Sequence, residues 1–376
     1  MRGLIIFWIA GILALGSAPL HAEGEWEITR ESEQAVERGL DWLARNQGER
    51  GNWESNDLGL VSMGALAFLS AGHLPDRGRY GDNVRRALDY VVANAKPSGL
   101  LNISNQDMYN HGLSVFVLTQ AYGMTFDRRL GEALDRGVKL IIDVQAEDGG
   151  WDYKAVKLQR GHDLSLAVMQ AKALRGATDI GLEIPSSVID QAIQSVRKHY
   201  KPTGTPDGKR YGDHPMADRP GAFTYDGNRV TTAMAACGAV CLQEFGQYTD
   251  FRIHRSMDEV IKDIRNPNEL KVRNGYIPFD AYTMYYVAQG LYQVGGERWK
   301  DNYPLIREAI VKTQNGTTKT DQAGSWNTNR VGGKPGQLFG TAVAVFTLSI
   351  PNRYLPILQE GQTDPRNADT DRPPAR

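Results

Sequence analysis

Cysteine is nearly absent: 376 residues contain two, Cys237 and Cys241. They stand four apart in a helical-looking stretch and so share one helix face, where disulfide geometry is poor. Core packing is their expected use, with a bridge or half of a metal site as the alternative. No aspartate or histidine arrangement completes a zinc ligand set around them, and neither a metal nor a cofactor is expected. Charge of one sign is lacking too. The formal net charge is −1, which leaves no basic excess for nucleic acid. Beyond the first two dozen residues no apolar run is long enough for a membrane helix. What remains is a chain with 41% hydrophobic residues, enough for one large or two medium globular domains stabilised through their cores.

The opening residues, MRGLIIFWIAGILALGSAPLHAEG, combine Arg2, an apolar run from Leu4 to Leu15 and small residues up to Ala22. That pattern predicts a secretory signal peptide over 1–22, and an exported protein, periplasmic or extracellular, with no membrane span in the mature chain. The tail from Gln359 has no apolar content and is expected to be disordered. One domain is therefore expected over 23–358.

Within it an apolar pattern with offsets 0, 4 and 7 recurs, as in Val36/Leu40/Leu43, Val84/Leu88/Val91 and Leu134/Val138/Ile141. Six such stripes on otherwise charged segments predict six amphipathic helices. Each is followed by a segment that is apolar or small almost all round, such as DLSLAVMQAKALRGA or DAYTMYYVAQGLYQVG. These predict six buried helices alternating with the outer six. The step between repeats is about 50 residues, except around 201–228, where KPTGTPDGKRYGDHPMADRPGAFTYDGN reads as an inserted loop. Six hairpins without an evident capping repeat predict ring closure: an all-α (α/α)6 toroid.

Three of the joints share a motif. Gln145 and Trp151 bracket QAEDGGW, Gln47 and Trp53 bracket QGERGNW, and Gln314 and Trp326 bracket a longer copy. A glutamine at the end of an outer helix can bond free backbone groups, the glycines allow positive φ in the turn, and the indole covers the junction. The motif resembles the QW motif of the squalene–hopene cyclase and prenyltransferase superfamily, over nearly all of residues 33–350. The resemblance implies a toroid with a central cavity for an apolar, isoprenoid-like ligand.

In such a toroid the starts of the inner helices converge on one rim. The polar candidates there are Asp57; Tyr109, Asn110 and His111; His162, Asp163 and Ser165; Tyr225, Asp226 and Asn228; and Asp280, Tyr282 and Tyr285. The resemblance places a proton-donating acid at Asp163, but the family's Asp-x-Asp-Asp run is replaced by Gly161, His162, Asp163 and Leu164. The other reading of Asp163 is a helix cap, as for Asp57 and Asp280. His111 is expected to face the same spot as Asp163 better than His162 does, because adjacent helical residues diverge. The expected partner is an apolar small molecule, bound and, in the enzyme reading, isomerised. The alternatives are an envelope protein-interaction toroid or a carbohydrate-active α/α barrel, whose partners would be an envelope protein or a glycan.

Overall fold

The structure is a computed structural model describing residues 26–103, 107–225, 227, 229–316 and 321–359. The expected leader over 1–22, Asp226, Asn228 and nearly all of the expected tail lie outside the described residues. Among the described residues six helical hairpins follow one another, each an amphipathic outer helix and a buried inner one. They are α1 (Arg30–Asn46) with α2 (Leu58–Ser70), α3 (Gly81–Ala93) with α4 (Met108–Thr125), and α5 (Arg128–Asp143) with α6 (Leu164–Asp179). Then come α7 (Ser186–Lys198) with α8 (Thr232–Glu244), α9 (Phe251–Ile264), a single-turn α10 (Pro267–Leu270) and α11 (Ala281–Val294), and α12 (Gly296–Thr313) with α13 (Gly333–Ser349).

The inner helices form a closed ring. Each packs on the next from α2 through α4, α6, α8 and α11 to α13, and α13 packs on α2. Helix α1 touches both α12 and α13, so the last hairpin meets the first. The fold is the all-α (α/α)6 toroid that the alternating periodicity predicts. The stripe residues Leu40, Leu43, Val84, Leu88, Leu134 and Ile141 are buried, while the rest of each outer helix is largely solvated. Both cysteines are buried and free, as packing residues on α8.

The joints repeat one geometry. Trp151 Nε1 donates to the carbonyl of Ile141 at 2.9 Å, Trp53 Nε1 to Leu43 at 2.8 Å and Trp326 Nε1 to Ile310 at 2.9 Å. In each case the acceptor is four residues before the glutamine, in the last turn of an outer helix where carbonyls lack helical partners. Each glutamine amide bonds a carbonyl in its own turn and one on the next outer helix: Gln47 to Asn83 on α3, Gln145 to Val188 on α7, Gln314 to Ala35 on α1. The glycine of each turn has positive φ and lies against that same neighbouring helix. A methyl group on Gly149 would sit 2.1 Å from the carbonyl oxygen of Gln191, and one on Gly324 2.3 Å from that of Arg38. Gly99 makes the same approach to Arg136 without a flanking glutamine or tryptophan, so the glycine is the more general part of the joint.

The insertion is more ordered than a loop. Tyr200–Pro202 (β1) and Gly221–Phe223 (β2) pair antiparallel, with Lys201 opposite Ala222. The sequence conceals this because each strand has three residues and one of them is Pro202 or Gly221, both unfavourable in strands. After α13 the chain turns through two short 3-10 segments, and the Ile357 N–H donates to Gln120 Oε1 at 3.0 Å on α4.

Trp151 is 1% exposed and its indole N–H is satisfied. Trp151→Ala should therefore cost about 3–5 kcal/mol in urea unfolding. A loss well under 1 kcal/mol would show that the joint stabilises little.

Candidate active site at the inner-helix rim

Because outer and inner helices alternate direction, all six inner helices start at the same end of the ring. Five begin with a side-chain cap: Asp57 on α2, Asp107 on α4, Asp163 on α6, Thr231 on α8 and Asp280 on α11. Each accepts from the first free N–H groups of its helix, where the helix dipole also favours negative charge. The rim is thus ringed by carboxylates for structural reasons before any chemistry is asked of it.

These termini surround a cavity of about 830 Å³. Its polar wall includes Asp57, Asp107, Asn110, Ser165, Thr231 and Arg330. Tyr109, Tyr153, Tyr225 and Tyr282 supply rings, and Leu60, Leu113, Met234 and Phe339 line apolar parts. Arg330 bonds Asp280 at 3.1 Å and lies 4.1 Å from the centre of the Tyr282 ring, a cation–π contact. The Tyr109 and Tyr286 hydroxyls are 3.3 Å apart.

The carboxyls in and beside this cavity differ in character. Asp57 and Asp107 flank Asn110, whose amide donates to Asp107 Oδ2 at 2.7 Å and also bonds Asp57. Gly59 permits this approach, since a Cβ there would meet the Asn110 side chain at 2.5 Å. Burial raises the pKa of both carboxyls. Asp57 adds a like charge beside Asp107, and the capping N–H groups only partly offset these effects. Asp163 is shifted the other way. Burial alone would push it up, but the Ser165 hydroxyl, the Tyr225 phenol at 2.7 Å, the His162 ring at 2.7 Å and the Ser165 N–H at 2.8 Å outweigh it. An ionised carboxylate only accepts, so His162 Nδ1 carries the proton in that bond. Asp163 is held as an anion, whereas Asp57 and Asp107 are biased towards keeping a proton.

The structure separates residues that the sequence grouped. His111 does not face Asp163. It is wholly buried, its Nδ1 accepts from the Leu101 N–H at 3.0 Å, and its Nε2 lies 3.0 Å from the Gly137 carbonyl. Burial pushes its pKa down to about 4, which keeps a neutral ring tying α4 to α5. His162 is the histidine beside Asp163, because it precedes the helix and the divergence rule for helical neighbours does not apply to it. Tyr285 lies away from the cavity, packed on Tyr286 and Phe346 in the core. Tyr109, Tyr225 and Tyr282 line the cavity, and Asp280 reaches it through Arg330. Four polar or aromatic contributors were not singled out from the sequence, one of them the α8 cap Thr231. Asp107 holds the capping place in QDMYN that Asp57 and Asp163 hold in their repeats, so aligning the repeats would have found it. Tyr153 lies in the loop before α6, its carbonyl accepting from the Met108 N–H at 2.9 Å. Arg330 precedes α13. Nothing in the sequence alone marks these two. Among the described residues no group of three or more His, Cys, Asp or Glu side chains is placed to hold a metal ion, and no helix is long and apolar enough to cross a membrane.

No family model matches this chain, and no curated protein matches it significantly. Solved structures do match in fold. The α-1,6-mannanase GH76A of Salegentibacter sp. HEL1_6, in complex with α-1,6-mannotriose, aligns over 86% of this chain and 99% of its own at 12% identity, with a TM-score of 0.53; it is an inactive variant in which two consecutive aspartates are replaced. An α-amylase from Clostridium perfringens aligns over 86% and 99% at 11% identity, with a TM-score of 0.55. A type II terpene cyclase, MstE from Scytonema, in complex with geranylgeranyl dihydroxybenzoate, covers 86% and 98% at 12% identity, with a TM-score of 0.52. At these identities the similarity shows the α/α toroid alone.

The opposite shifts predict opposite stability effects. Asparagine caps about as well as aspartate, so both substitutions keep the cap and remove the charge. A raised native pKa contributes stability that is lost as pH rises through it; Asp57→Asn should therefore be neutral or stabilising at pH 7, with its advantage vanishing at low pH. A lowered native pKa contributes stability above the unfolded value that is lost as pH falls through the native one. Asp163→Asn should accordingly destabilise at pH 7 and cease to do so in acid. Thermal unfolding from pH 3 to 8 checks both, and equal destabilisation by the two variants at pH 7 would contradict the assignment.

Proposed function

We propose that this protein is a carbohydrate-active toroid that binds a glycan in the rim cavity and hydrolyses it. The observation that carries the reading is the division of carboxyls at one tyrosine-walled site, where burial raises the pKa of Asp57 and Asp107 on the wall while the donors around Asp163, just behind it, lower that of Asp163. Glycoside hydrolysis uses such a division. Asp107 gives its proton to the glycosidic oxygen as the bond from that oxygen to the anomeric carbon breaks. The negative charge of Asp163 favours the positive charge developing on the sugar ring. Water then bonds to the anomeric carbon and returns a proton to Asp107. Tyrosine faces suit stacking against sugar rings, and Arg330 offers donors to hydroxyls. The mannanase and amylase among the structural neighbours act in the same sense.

The second reading, an isoprenoid-like ligand, is favoured by the apolar wall of Leu60, Leu113, Met234 and Phe339 and by the terpene cyclase neighbour. It is a binding reading rather than a cyclisation one, because Asp163 is stabilised as an anion and a proton donor must be neutral.

One experiment separates them. The purified protein and its Asp107→Asn variant are incubated with α-linked mannan and starch oligosaccharides, and in parallel with squalene and an envelope lipid extract. New reducing ends, lowered more than about a hundredfold by Asp107→Asn, are expected. Retained lipid with no glycan bound or cleaved would transfer the assignment to the isoprenoid reading.

A further inference from the structure

The insertion between α7 and α8 reaches the site by a route that starts on the outside of the ring. Arg255 on the outer helix α9 has a side chain only 1% exposed, unusual for a charged residue unless its donors are satisfied. They are spent on the insertion. Nη1 contacts both oxygens of Asp207 at 3.0 and 2.9 Å, Nε donates to the Ala217 carbonyl at 3.1 Å, and Nη2 donates to the carbonyls of Ala217 and Lys209. The Tyr211 ring centre lies 5.0 Å from the Arg255 guanidinium, and the Tyr211 hydroxyl accepts from Arg298 at 2.7 Å and donates to Asp258 at 2.9 Å. The outward half of the insertion is thereby fixed.

The returning half is fixed in turn. The Phe223 N–H donates to Ser256 Oγ at 3.3 Å, one residue beyond Arg255, and the Phe223 ring fills the space over Gly238 on α8. The Thr224 N–H donates to the His199 carbonyl at 3.0 Å. Tyr225 comes next, 39% exposed, on the cavity wall, with its phenol on Asp163. We propose that the insertion is a positioning device for the rim site, in which Arg255 holds the segment that presents Tyr225 to Asp163 and to the ligand. This rests on the rim cavity being a ligand site. Tyr225 is the ligand-contacting residue and Arg255 acts only through it.

The test follows the Asp163 carboxyl by 13C NMR through a pH titration in the native protein, Tyr225→Phe, Arg255→Met and the double variant. Tyr225→Phe removes a donor to the anion, so the Asp163 midpoint moves upward. Arg255→Met moves it the same way, and the double variant moves it no further than Tyr225→Phe alone, the non-additivity expected of two residues on one route. Asp207→Ala, at the solvated side of the clasp, gives a smaller upward move and serves if Arg255→Met does not fold. An unchanged midpoint in both clasp variants, with Tyr225→Phe shifted, overturns the positioning role; an unchanged midpoint in Tyr225→Phe overturns the contact itself. In parallel, affinity for α-1,6-mannotetraose and maltotetraose is expected to fall roughly tenfold in Tyr225→Ala and no further when Arg255→Met is added. Undiminished affinity in Tyr225→Ala overturns its ligand contact. If the native protein binds neither sugar, the glycan reading fails, and the titration still decides the positioning role.

Discussion

The architecture depends on how closely one outer helix can approach the turn that ends the previous one. At Gly51, Gly99, Gly149 and Gly324 the backbone carbonyl of the next outer helix occupies the space a side chain would need. Each of these glycines also has positive φ, so two independent constraints, conformation and clearance, select the same residue. Once the approach is made, a glutamine amide can span both backbones and an indole can cap the helix end. The order of causation matters. The second joint, at Gly99, forms without glutamine or tryptophan, so these side chains reinforce a contact that glycine makes possible.

That hierarchy explains what was legible in the sequence. Helix alternation was readable because burial on one face or on all faces leaves a periodic trace, and the repeat of about 50 residues gave the number of hairpins. Contacts between side chains from different repeats leave no such trace. His111 and His162 look equivalent in the sequence, each close to the start of an inner helix. One is inside its helix and turns outward to Gly137, while the other precedes its helix and is free to bond the cap. Arg255 illustrates the same limit. On a charged outer helix it reads as one more solvated residue, and only the folded insertion reveals that it is buried and fully bonded.

The capping aspartates show how one structural role can diverge chemically. Asp57, Asp107 and Asp163 all accept N–H bonds at a helix start, which by itself favours the anion. The sign of each shift is settled by what lies around the cap. Asp57 and Asp107 are half-buried side by side on the cavity wall and share the amide of one asparagine. Asp163 receives a serine, a tyrosine and a histidine in addition to its backbone donors. Capping and acidity are therefore not alternatives in this ring: the fold supplies the carboxyls, and burial and neighbouring side chains decide whether each pKa moves up or down.

The other end of the cavity is set by the same helical period. Tyr109, Ser165 and Tyr282 line it, and seven residues further along their helices stand Phe116, Lys172 and Gln289. Two turns place the second set about 10 Å deeper on the same faces. There Lys172 pairs with Glu244 at 3.0 Å, bonds Gln289 and lies 4.2 Å from the centre of the Phe116 ring, all fully buried. A buried ion pair gains little over apolar packing once desolvation is counted, so its value here is better sought in geometry. It joins α6, α8 and α11 across the axis, where the apolar faces of six helices arranged in a ring cannot all meet. The polar cluster thus ties three inner helices together two turns in from the rim, the same rim to which the insertion brings Tyr225.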